Sequence, residues 1–176
     1  MIVERFLKII SLLLLGLWLG AAIFFGAAVA PNLFNVLRGA DLTNANALAG
    51  TIVTRLLAII NRGGFEISLL LLVISFFATR RVRPLMRFAE MISLAIMAIM
   101  TALGHWVVAA RMSALRAAMQ LPIDQIAPSD PRRIEFDNLH RYSVAMMGIA
   151  IIAALVAFVL MANRTSKSDA PARAND

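Results

Sequence analysis

Four long apolar runs divide the chain, at about residues 9–30, 52–78, 88–110 and 142–162. Each run is long enough to cross a hydrocarbon core of ~30 Å at ~1.5 Å per residue. None alternates apolar and polar residues as a half-buried strand does. Because backbone polar groups must be hydrogen-bonded inside lipid, the pattern predicts an all-α polytopic membrane protein, a bundle of four transmembrane helices.

The polar segments predict where these helices begin and end. Residues 38–50 are expected to form a loop, with a helix start near Thr43. Asp130 and Pro131 are typical of an N-cap followed by proline at the first helical position, so we expect the fourth helix to begin near Pro131, beyond the bilayer. Residues 1–164 then form one transmembrane domain, and residues 165–176 have the polar composition of a disordered tail.

Two further segments allow a more specific interpretation. The segment from Arg111 to Met119 continues the third helix with apolar residues on one face, which predicts an amphipathic stretch on the membrane surface. The first apolar run, with Ala28-Val29-Ala30 near its end, is similar to a secretory signal peptide. That run exceeds the ~7–15 residues of a signal core, and Pro31 follows the A-x-A site, so we expect the first helix to be retained.

Composition and charge support this interpretation. The chain is 61% hydrophobic and 15% charged, whereas soluble domains have about 45–50% apolar and about 25% charged residues. The absence of cysteine excludes a disulfide framework, thiolate catalysis and thiolate metal sites. The net charge of +7 comes from basic residues between apolar runs, which is typical of a topology signal and not of nucleic-acid binding.

The distribution of lysine and arginine predicts the orientation. With a cytoplasmic N-terminus, the inner ends carry nine of the 17 basic residues and the outer ends seven. The short turn from Arg80 to Arg87 is the densest cluster. We therefore expect a multi-pass protein of the plasma (inner) membrane with both termini in the cytoplasm.

Small residues on two helices predict close packing. Gly16 and Gly20 form a GxxxG pair, and Gly26 continues along the same helix. The fourth helix carries Gly148, Ala150, Ala153, Ala154 and Ala157. Such faces let helix backbones approach within lipid. They indicate either packing inside one bundle or a homo-oligomer through the Gly16, Gly20 and Gly26 face.

Counting residues along each helix predicts a belt of polar side chains near the outer boundary. Arg62 and His105 each lie 18 residues, roughly 27 Å, from the inner end of their helix. His140 marks the outer end of the fourth helix. The candidate solute-binding residues are Asn61, Arg62, Glu66, His105, Arg111 and His140.

Two features of the belt leave alternatives open. Arg62 and Glu66 are spaced i, i+4, so they form either an interfacial ion pair or the charged wall of an outward-facing cavity. Gly63 and Gly64 between them produce either a kink or tight packing.

Candidate cofactors follow from residue type. His105 and His140 at matched depth are either ordinary interfacial histidines or ligands of a metal or haem. Ten methionines suggest copper, but those inside the runs are typical gap-filling residues. No HExxH, P-loop or GxSxG motif is present, so no cofactor and no reaction is predicted.

Three segments carry a family resemblance: Leu17 to Leu37, Ala110 to Met119 and Phe136 to Gly148. They resemble the integral-membrane family called domain of unknown function 4149, which includes an animal transmembrane protein associated with cisplatin tolerance. The resemblance implies a four-helix membrane protein with no established reaction. It highlights Gly26, Pro31, Phe34, Arg111, Phe136, His140 and Ser143.

Three hypotheses for function remain. The first is a non-enzymatic protein that binds or moves a small polar solute or ion, with Arg62 attracting an anion, Glu66 balancing its charge, and His105 and His140 lining the mouth. The second is a haem- or metal-binding redox module that uses the two histidines. The third is a membrane scaffold that interacts through its small-residue faces.

Overall fold

The computed structural model describes residues 2–40, 42, 44–78, 84–119 and 121–164. Four long helices dominate it, and we number them from first to fourth: Ile2–Gly39, Ala45–Ala78, Pro84–Met119 and Pro131–Ala162. A short 3₁₀ turn, Ile123–Gln125, precedes the last. All four are long and apolar enough to cross a membrane. The predicted all-α, multi-pass membrane fold is therefore confirmed.

The helices extend beyond the apolar runs that predicted them. The second begins at Ala45, two residues later than expected. At the start of the fourth helix, the Asp130 carboxylate accepts a hydrogen bond from the Arg132 backbone N–H at 2.8 Å, with Pro131 in the first turn. This confirms the predicted N-cap. The proposed disordered tail, residues 165–176, lies outside the described residues.

Two helices contain a π-helical segment, Phe25–Val29 in the first and Leu103–Val108 in the third. A π segment inserts an extra residue into a turn and rotates the faces that follow, and such segments are frequent at functional sites. His105 lies in the second of them.

The main core lies between all four helices. Its buried members are Leu15, Trp18, Leu19, Ala22, Leu71, Leu94, Met97, Ala150, Ala153, Ala154, Ala157 and Met161. The four alanines of the fourth helix are therefore used inside the bundle, and a Cβ on Gly16 would lie 3.4 Å from the Phe158 ring. A Cβ on Gly20 or Gly26 would have nothing within 4 Å, so an oligomer through this face stays a prediction.

Gly64 lets the first and second helices approach closely. A Cβ on Gly64 would lie 2.7 Å from Nε1 of Trp18, and that nitrogen donates a hydrogen bond to the Ile60 carbonyl at 2.9 Å. The second helix continues without interruption through Gly63 and Gly64. Of the two interpretations of this glycine pair, tight packing is the one found.

A second, smaller core lies at the end of the bundle where the third and fourth helices are joined. Leu115 and Met119 of the third helix are buried against Ile126 and Phe136. The segment from Arg111 to Met119 is helical as predicted, and its apolar residues Leu115 and Met119 pack on protein. The reason is that the projecting start of the fourth helix offers Phe136 as a packing partner.

Candidate functional site

The two ends of the bundle are defined by contacts between helices. At the terminal end, Lys8 Nζ donates to the carbonyls of Ala162 at 2.9 Å and Arg164 at 3.1 Å, which joins the first helix to the end of the fourth. At the loop end, Arg116 Nη1 donates to Thr54 Oγ1 at 3.0 Å. The loop end corresponds to the predicted outer side.

Asn61 and the turn containing His105 lie together between the second and third helices. Asn61 is only 4% exposed. A Cβ on Gly104 would be 3.2 Å from Asn61 Nδ2, so the absence of a side chain at Gly104 is what lets the amide fit. His105 follows directly, within the π-helical segment. Two predicted candidates are thus brought to one level of the bundle.

One of the two polar groups, the His105 imidazole, has a nitrogen without a partner in the part of the chain that the structure describes. Nδ1 of His105 is buried and accepts or donates no hydrogen bond there. Asn61, which is 4% exposed, lies beside this turn and carries an amide that can both donate and accept. A buried polar group left unpaired costs about 1–3 kcal/mol. This pair is therefore chemically suited to a small polar ligand.

Aromatic rings border the site. Trp106 meets Phe65 edge-on at 4.9 Å between ring centroids and His105 edge-on at 4.8 Å. These contacts restrict the orientation of the imidazole ring.

Arg62 and Glu66 form the predicted pair, with Arg62 Nε 2.9 Å from Glu66 Oε1. Their side chains are 69% and 60% exposed, so the pair lies on the outer surface of the bundle. No hydrogen bond or ion pair between described residues joins either of them to His105. The pair follows Asn61 on the second helix, and its role as the wall of an outward-facing cavity stays a prediction.

The remaining candidates lie elsewhere. Arg111 pairs with Glu135 of the fourth helix, Nε to Oε1 at 2.7 Å. His140 is exposed, and no described contact joins it to His105. Within the described ranges no group of three histidine or acidic residues is arranged to hold a metal ion. A surface depression of about 440 Å³ lies on the projecting part of the fourth helix, lined by Pro131, Ile134, Glu135, Asn138, Leu139 and Tyr142.

Comparison with known protein families identifies the family of this chain. The sequence model of the family described as "Domain of unknown function (DUF4149)" matches residues 13–120. The chain belongs to this family. No curated protein and no solved structure matches it.

The DUF4149 match covers the first helix from residue 13 onward and the whole of the second and third helices, and it ends before Phe136. Asn61, Arg62, Glu66, His105 and Arg111 therefore lie in the matched region, whereas His140 lies beyond it. The relation to the animal protein associated with cisplatin tolerance stays an expectation from the sequence.

The DUF4149 region also contributes to a buried polar cluster that the sequence analysis missed. At the terminal end, Glu90 is 1% exposed and accepts hydrogen bonds from Ser75 Oγ and from Arg164, whose Nε lies 2.8 Å from Oε2. Nη2 of Arg164 also donates to the same carboxylate and to Ser75 Oγ, the latter at 3.1 Å. The only sequence signal was an acidic residue inside the third apolar run, and its partner lies 74 residues away.

Proposed function

We propose that this DUF4149 protein binds a small polar solute or ion within the membrane, between Asn61 and His105. The observation that carries the proposal is the buried Nδ1 of His105, which has no hydrogen-bond partner among the described residues and belongs to the turn that packs against the buried Asn61 of the facing helix. Pairing with a ligand would offset the cost of burying this nitrogen.

The chemistry of the two side chains restricts the ligand. Asn61 offers both a donor and an acceptor, and Nδ1 of a neutral imidazole is one or the other. The close approach of Asn61 to Gly104 favours a ligand of few atoms. Arg62 and Glu66, exposed on the adjoining face, supply charges of both signs on the approach.

The ligand would enter from the loop end. The terminal end is closed by the Glu90 cluster, which lies 15 residues, about 22 Å, from His105 along the third helix. We propose that the loop end faces outward, in a plasma (inner) membrane with cytoplasmic termini. Transport would require the terminal end to open.

Cysteine accessibility tests the site directly, because the chain contains no cysteine. Asn61→Cys and His105→Cys, expressed singly, should react in intact cells with a membrane-impermeant cationic methanethiosulfonate. His140→Cys, which is exposed, is the accessible control, and Leu70→Cys, on the apolar surface of the bundle, is the lipid-facing control.

The outcomes separate the site from its orientation. If Asn61→Cys and His105→Cys react no faster than Leu70→Cys while His140→Cys reacts fully, no polar path reaches the site and the proposal is wrong. If His140→Cys reacts only after the cells are opened, the assigned orientation is wrong. The redox and scaffold hypotheses stay predictions from the sequence.

A further inference from the structure

Two arginines at opposite ends of the third helix have no acidic partner among the described residues. Arg87 donates from Nη2 to the Phe76 carbonyl at 2.7 Å. Arg116 donates from Nη1 to Thr54 Oγ1 at 3.0 Å and to the Gly50 carbonyl at 3.5 Å. In contrast, four other arginines each form an ion pair with a carboxylate: Arg62, Arg111, Arg132 and Arg164.

Both guanidinium groups are held against an aromatic ring of a neighbouring helix. Cζ of Arg87 lies 5.6 Å from the ring centroid of Phe76, and Cζ of Arg116 lies 5.0 Å from that of Phe136. Such contacts fix the plane of the group while its charge stays unneutralised. Nε of Arg87 is moreover buried without a hydrogen-bond partner in the described part of the chain.

Glycine makes room for one of these groups. A Cβ on Gly50 would lie 3.1 Å from Nη2 of Arg116. The second helix thus lets the guanidinium settle against its backbone, where Thr54 and Gly50 supply only neutral oxygens. The site contains a fixed positive charge, and an anion is the complementary ligand.

The spacing of the two arginines identifies the anion. Arg116 follows Arg87 by 29 residues, which is about 43 Å along a helix. A bilayer with its headgroup regions is about 40–45 Å thick. The two groups therefore match the headgroup levels of opposite leaflets, where phosphate is the abundant anion. A guanidinium fork binds phosphate oxygens in pairs.

We propose that Arg87 and Arg116 each bind the phosphate of one phospholipid, one in each leaflet, and so fix the depth of the third helix. The proposal rests on groups outside the Asn61–His105 site and is independent of the function proposed for it.

Native mass spectrometry of the purified full chain with added phosphatidylglycerol tests the proposal. Arg87→Gln and Arg116→Gln should each retain one phospholipid fewer than the unmodified chain, with about fivefold weaker binding, or ~1 kcal/mol. Arg55→Gln removes the same charge from an exposed arginine of the second helix and is the matched control. The Arg55→Gln variant should retain as many phospholipids as the unmodified chain.

Three results would overturn the proposal. They are unchanged retention in both variants, an equal loss in Arg55→Gln, and displacement of the lipids by millimolar inorganic phosphate, which would indicate a free-anion site. If a glutamine variant fails to fold, the unmodified chain still decides the question. Phosphatidylglycerol should raise its melting temperature more than a phosphate-free galactolipid does, and equal effects would contradict the assignment.

Discussion

Replacing Glu90 by glutamine should destabilise the bundle by about 3 kcal/mol. The carboxylate is 1% exposed and the Arg164 side chain 10%, so the pair lies almost wholly out of water. Removing one partner of a buried pair costs about 3–5 kcal/mol, because the remaining charge is left uncompensated. We take the lower value since Arg164, one residue beyond the helix cap, can reach towards water.

Thermal melting in detergent micelles, followed by the fluorescence of Trp18 and Trp106, measures this effect. A loss of about 3 kcal/mol corresponds to a fall of roughly 6–12 °C in the melting temperature for a chain of this size. Glu66→Gln is the matched control, because its ion pair is exposed and exposed pairs contribute about 1 kcal/mol or less.

The double variant Glu90→Leu with Arg164→Met makes the physical reason testable. If the cost comes from an uncompensated charge, removing both charges should restore much of the stability that the single change loses. A melting temperature for Glu90→Gln equal to that of Glu66→Gln would refute the reasoning. The reasoning would also be refuted if the double variant lost more stability than Glu90→Leu and Arg164→Met lose together as single variants.

Two further predictions concern packing and pH. Gly64→Ala should destabilise the bundle by about 1–3 kcal/mol in the same melting assay, because its Cβ would overlap the Trp18 indole. Gly63→Ala, with nothing within 4 Å, should be neutral or stabilising, and equal losses in the two variants would argue against the contact. The hydrogen bonds and charge of Arg132 lower the pKa of Asp130 from 3.8 to about 2. A depressed folded pKa means that the stabilisation is complete above about pH 4 and lost as the pH falls towards about 2. The melting temperature of Asp130→Asn should therefore fall less than that of the unmodified chain as the pH is lowered from about 4 towards about 2. An equal fall in the two proteins would contradict this prediction.

Local signals in the sequence predicted the helices well. Length and apolarity are sufficient to define a spanning helix, and the Asp130-Pro131 signature fixed the start of the fourth helix because an N-cap depends on neighbouring residues alone. Depth could also be counted, since each residue adds ~1.5 Å. Counting in this way predicted Asn61 and the His105 turn at one level, and the amide of Asn61 lies against Gly104.

Counting residues did not predict which way each side chain faces around its helix axis. Arg62 lies next to Asn61 in sequence, yet it faces the outside while Asn61 is buried. The π-helical segment around His105 changes the angular register by an amount that no periodicity in the sequence indicates. Partners far apart along the chain were equally hidden, as with Trp18 and Gly64 or Glu90 and Arg164.

The position of Arg164 has a consequence for biogenesis. The ribosome delivers Glu90 to the membrane long before it synthesises the arginine that neutralises it, 74 residues later. Until the last helix is inserted, the nascent chain carries an acidic side chain whose burial is unfavourable. Chains that stall or are cut before residue 164 would keep Glu90 without its arginine partner. Membrane quality-control proteases could recognise such chains by this unpaired carboxylate.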